Sequence, residues 1–199
     1  MEQESTGRQR QARETKRRIF EAAMDRMREK GYYGTRIEDV CQAAQVSVGT
    51  FYHHYDSKLD IFSFTYAEAD EYFENEVAPR LAAEAPERRI LAYFDLYAEF
   101  NKRMGVDFVK VLYHGDNTWF TKKDRAMQRV LREQIADAQA AGTLDPTISA
   151  SDLTESLFVL ARGAVYDWCI HNGSYDLTES LERLMNRMLK GFQSPSSYR

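Results

Sequence analysis

Apolar residues recur along this chain at helical intervals, and nowhere do they alternate convincingly as a strand would. Ile19, Phe20, Ala23, Met24 and Met27 fall on one face of a helix predicted over 13–30, with Gly31 as its stop. Ile37, Val40, Cys41 and Ala44 mark a short second helix, opened by a Thr35/Glu38 capping-box pattern. Ser47 then caps a third helix over 48–55, and Ser57 with Asp60 starts a fourth, expected over 58–77 and ended by Ala78-Pro79. Five further apolar periodicities follow, over 86–104, 106–114, 122–141, 150–172 and 177–191, punctuated by Gly142, Pro146 and Gly173. The expected fold class is all-α, with about nine helices.

The second and third helices are joined by a three-to-four-residue turn, which is the spacing of a helix-turn-helix. Phe51 and Tyr55 are the inward anchors of the third helix, leaving Val48, Gly49, Thr50, Tyr52, His53 and His54 near its outer face. Most surface helices carry Glu and Lys there. Thr, Tyr and His instead offer donors to phosphates and base edges, Val48 an apolar contact such as a thymine methyl, and Gly49 a close backbone approach. Lys58 adds a cation at a helix start suited to phosphate. The adjacent histidines make no evident metal site, because helical neighbours point about 100° apart and His114 and His171 lie in distant segments.

Residues 34–58, with the helix before them, resemble the DNA-binding motif of TetR-family transcriptional regulators. The resemblance is strong over about 13–62. It implies that the positions of Val48, Gly49, Thr50, Tyr52 and His53 touch bases and nearby backbone, while those of His54 and Lys58 touch phosphate. The sequence departs from the family pattern in two places. Gln45 stands where the turn usually carries Gly, which puts a non-Gly residue at positive φ. Arg36 occupies a cap position commonly held by Thr or Ser, so that either Thr35 caps one residue early or Arg36 contacts phosphate by charge. With Ser47 at the start of the third helix, these complete the expected DNA-binding set. The implied organisation is an N-terminal arm over 1–12, a helix-turn-helix bundle over 13–58, and a helical ligand-binding and dimerisation domain over 59–199.

Charge supports a polyanion at one end. The net charge is −4, yet residues 8–58 carry eleven Lys and Arg against seven Asp and Glu. The remaining body is acidic. No stretch is apolar enough to span a membrane, the N-terminus lacks the apolar core of a secretory signal, and Cys41 and Cys169 sit in apolar helical patterns. Together these place the expected protein in a reduced cytoplasm, without metal or cofactor.

The body, 59–199, holds nineteen of the 25 aromatic residues, and Tyr93, Tyr97, Phe100, Phe108, Tyr113, Trp119, Phe158 and Tyr166 are the candidates to line a pocket. Leu153, Leu157, Leu160, Ala161, Ala164 and Trp168, with Leu181, Leu184 and Met188, are expected at a two-fold dimer interface, which the resemblance places on the last two helices. The function expected from all this is a homodimeric transcriptional repressor. It would leave a near-palindromic double-stranded DNA operator when a small apolar or aromatic effector binds. A protein-gated regulator or an activator of the same fold are the alternatives. A small helical enzyme is the competing class, but no HExxH, GxSxG, CxxC or Gly-rich phosphate loop supports it.

Overall fold

A computed structural model describes residues 7–113 and 115–193 of the chain. Residues 1–6 of the expected arm, His114 and 194–199 lie outside them. The described residues form ten α-helical segments: α1 (Gly7–Gly34), α2 (Ile37–Ala44), α3 (Val48–His54), α4 (Phe62–Tyr72), α5 (Ala78–Ala83), α6 (Arg89–Met104), α7 (Val106–Leu112), α8 (Ala126–Ala140), α9 (Ala150–Ile170) and α10 (Leu177–Lys190). Among them the only β-type pairing is an isolated bridge between Leu144 and Gln193.

Three features differ from the sequence expectation. Helix α1 begins at Gly7, so the second half of the expected arm is helical. Gly31 leaves helical geometry at φ 72°, ψ 166°, and the chain coils on to Gly34 beyond that kink. Pro79 does not end the fourth helix. A π turn over Phe73–Val77 precedes it, and Pro79 then sits in the first turn of α5, where the missing N–H is tolerated.

The chain divides into two compact units, Met1–Ala67 with Val111–Phe120, and Glu68–Lys110 with Thr121–Arg199. In the first, α1 buries Ile19, Phe20, Ala23, Met24 and Met27 as the floor for α2 and α3. The remote segment Val111–Phe120 joins this unit through side chains. Tyr33 Oη donates to Asp116 at 2.7 Å, Asn117 Nδ2 donates to Tyr66 Oη at 2.9 Å, and Trp119 stacks on Tyr66.

In the second unit the rings of Phe73, Tyr93, Phe94, Tyr97 and Phe158 form one cluster, with centroids 5.1–6.3 Å apart. Asp70 organises its edge. One carboxylate oxygen pairs with Arg125 Nε at 3.1 Å, and the other accepts the Met127 N–H at 3.1 Å in the first turn of α8. Tyr93 Oη then donates to the Met127 carbonyl at 2.8 Å.

Candidate nucleic-acid interface

The interface is built on α2, the turn Gln45–Ser47, and α3. Glu38 and Asp39 lie in the first turn of α2, where carboxylates favour the helix dipole. Lys30 beside Asp39 holds that carboxyl below the usual carboxylate range and ties α1 to α2 at 3.2 Å. Gln45 closes α2 at φ 52°, ψ 48°, the left-handed conformation that the turn demands. Ser47 Oγ accepts the Thr50 N–H at 3.0 Å and opens α3.

Helix α3 then has two faces. Phe51 and Tyr55 are fully buried, and Tyr55 Oη donates to the Lys16 carbonyl at 3.0 Å, fixing the end of α3 against α1. Ser47, Val48, Gly49, Tyr52 and His53 are exposed, and Thr50 and His54 are half-buried. Val48 and Tyr52 are two large apolar-bodied side chains left partly in water, Tyr52 at 52% exposure. A Cβ added to Gly49 meets only Ser47 Oγ, at an ordinary 3.7 Å. The fold has room for alanine there, so packing does not explain the glycine.

Two expected contacts are placed differently. Thr35 is 2% exposed, and its hydroxyl donates to the Gly31 carbonyl at 2.9 Å. It neither caps α2 nor faces outward, because the kink at Gly31 leaves a carbonyl that this hydroxyl satisfies. Arg36 takes the cap position with no side-chain capping bond and stays exposed. Lys58 Nζ donates to the Tyr32 and Thr35 carbonyls at 2.6 and 2.9 Å and lies over the Tyr32 ring. Its amine serves the end of α1.

Residues 19–63 match the family described as bacterial regulatory proteins, tetR family. The curated relatives include the HTH-type transcriptional regulator CymR of Pseudomonas putida. It is 39% identical over 90 residues, covering 45% of this chain and 44% of that protein. Over residues 19–63 the chain is similar to TetR-family regulators. The transcriptional regulator AcuR of Cereibacter sphaeroides is 27% identical over 168 residues, 74% of this chain and 73% of that one. Thus the chain spans less than half the length of CymR in that match, and about three quarters of AcuR. Among solved structures, Thermus thermophilus FadR in complex with lauroyl-CoA superposes with a TM-score of 0.68 at 25% identity, covering 87% of this chain and 92% of that one. Bacillus subtilis FadR in complex with stearoyl-CoA gives 0.69 at 14% identity, over 88% and 98%, and shares the TetR fold. TetR-family proteins are DNA-binding regulators and not enzymes.

In this chain the expected pocket residues do not come together as one set. Tyr93, Tyr97 and Phe158 belong to the ring cluster, Phe100 stacks on Tyr72 beside it, and Phe108 is buried in α7. Tyr113 and Trp119 belong to the first unit, against Phe120 and Tyr66. Tyr166 is exposed on α9. The expected association face is also divided. Leu153, Leu157, Ala161, Ala164, Trp168 and Leu181 are buried within the chain, because α9 packs that stripe against α8 and α10. Leu160, Leu184 and Met188 are half-buried. The outward apolar stripe of α9 is instead Val159, Tyr166 and Ile170, each more than half exposed. Their i, i+7, i+11 spacing was the available signal, masked by the stronger leucine pattern beside it.

Among the described residues no group of three His, Cys, Asp or Glu side chains could hold a metal ion, and no helix is long and apolar enough to cross a membrane.

Proposed function

We propose that this protein is a homodimeric, sequence-specific DNA-binding regulator that represses transcription until a small molecule with a large apolar or aromatic part binds its second unit. The carrying observation is α3. Its polar, donor-rich face of Ser47, Val48, Gly49, Thr50, Tyr52, His53 and His54 is turned to water over a floor of buried Phe51 and Tyr55. A major groove admits such a helix and presents the donors, acceptors and methyl groups that these side chains match. Arg36, exposed at the start of α2, supplies a phosphate contact.

One helix of this length reads few bases, and a two-fold dimer doubles them over a near-palindromic site. The stripe Val159, Tyr166, Ile170 supports that dimer, and Val159 and Met188 line one groove that joins it to α10. The ring cluster of the second unit supports an apolar or aromatic effector. The acyl-CoA esters in the two FadR complexes are apolar-tailed ligands held by the same fold.

The test is Tyr52→Ala. A palindromic duplex selected from a random pool by the wild-type protein should be bound more weakly by about 1–3 kcal/mol, with far less loss on scrambled DNA. Equal losses on both duplexes overturn base reading by this residue.

A further inference from the structure

Helix α1 starts three turns before its first core residue. Nothing from Gly7 to Glu14 is buried, and the first side chain to enter the core is Ile19. This overhang is polar on every side and cationic: Arg8, Arg10, Arg13, Lys16, Arg17 and Arg18 stand against a single acid, Glu14. Its electrostatics work against it as an isolated helix. No acidic residue lies in its first turn, so positive charge meets the positive end of the dipole, and Arg10–Arg13 and Arg13–Arg17 are like-charge pairs at helical spacing. A polar overhang of this length gains little from propensity alone. A polyanion would remove both penalties.

Its attachment point puts the overhang beside the recognition helix. Tyr55, which ends α3, donates to the Lys16 carbonyl, and Lys16 Nζ lies 5.0 Å from the centre of the Tyr55 ring. Lys16 also helps to lower the pKa of His54, so this cation of α1 stands beside the end of α3 from which the overhang extends.

We propose that residues 8–18 are a second DNA-contacting element, a helical phosphate grip beside the recognition helix. It supplies sequence-independent affinity, while α3 supplies discrimination. The inference rests on the DNA-binding function proposed above.

The test uses the full chain with Arg8→Gln, Arg10→Gln and Arg18→Gln combined; all three side chains are exposed, so far-UV circular dichroism and Tm should match wild type. Each phosphate neutralised adds about 0.9 to the slope of log affinity against log salt, so the variant's slope should fall by about 2–3. Affinity should drop by the same factor on the selected palindrome and on scrambled DNA. Restoring lysine at the three positions should restore the slope. A slope within half a unit of wild type overturns the grip, and so does a loss confined to the selected palindrome. If the wild-type protein binds duplex DNA with no salt dependence, the DNA-binding reading itself fails and takes the grip with it.

Discussion

Lys58 Nζ donates to the Tyr32 carbonyl at 2.6 Å, which joins the approach to α4 to the end of α1 beyond the Gly31 kink. The second bond, to the Thr35 carbonyl, makes this lysine a staple over the Tyr32–Thr35 stretch that leads from α1 into α2. Burial lowers its pKa below that of an ordinary lysine. Lys58→Ala should therefore lower stability by about 1–3 kcal/mol, since it strands the Thr35 carbonyl and leaves the Tyr32 carbonyl only the long 3.4 Å bond from the Thr35 N–H. The salt dependence of DNA binding should stay within half a unit of wild type. A full-unit loss of slope with unchanged Tm would show that the amine is spent on phosphate instead.

Gly49 separates stability from function. Alanine fits at this position, so Gly49→Ala should stabilise α3 by roughly 0.5–1 kcal/mol through helix propensity. The same methyl group stands where DNA would approach the backbone, so affinity for the selected palindrome should fall. A variant that is more stable and binds as well as wild type removes Gly49 from the interface.

Gln45 carries measurable strain. A side chain at φ 52° costs about 1–2 kcal/mol relative to right-handed geometry, and glycine carries no such cost. After allowance for glycine's greater entropy when unfolded, Gln45→Gly should raise stability by about 1 kcal/mol and Tm by a few degrees. A lower Tm would mean that the Gln45 side chain makes a compensating contact.

His54 should make DNA binding pH-dependent. Burial first, then His53 and Lys16, push its pKa below the ordinary value of 6.5 in the free protein. The folded state thus takes up this proton less readily than the unfolded one. The resulting stability cost is absent above pH 6.5 and is incurred as pH falls through that value. Phosphates nearby favour the imidazolium, so binding should take up a proton and strengthen as pH falls from about 8 to about 6. Affinities measured across that range should flatten in His54→Gln; an unchanged pH profile in the variant assigns the effect to another group.

The two faces of α9 should respond differently to substitution. Leu157→Ala should cost about 2–5 kcal/mol of stability, because its site is closed by neighbouring helices. In the dimer proposed above, Tyr166→Glu should leave each protomer folded but shift sedimentation toward monomer. A Tyr166→Glu protein that remains fully dimeric would move the association surface away from this stripe.

The sequence by itself determined the helices and the helix-turn-helix, because both are local. A period of 3.6, a Ser47 cap and a turn at Gln45 act within a few residues, and the buried Phe51 and Tyr55 follow from their spacing in α3. It also carried the family resemblance, which is written in one contiguous stretch. Only the tertiary structure decided what the long helices bury. Leu157 and Tyr166 lie on one helix, and periodicity alone cannot say which stripe meets α8 and α10 and which meets water. Nor could spacing show that Asp116, 83 residues away, accepts from Tyr33, or that the Lys58 amine would reach the Tyr32 and Thr35 carbonyls between α1 and α2. Those outcomes depend on groups distant in sequence competing for the same partners, and that competition is settled only when the chain packs.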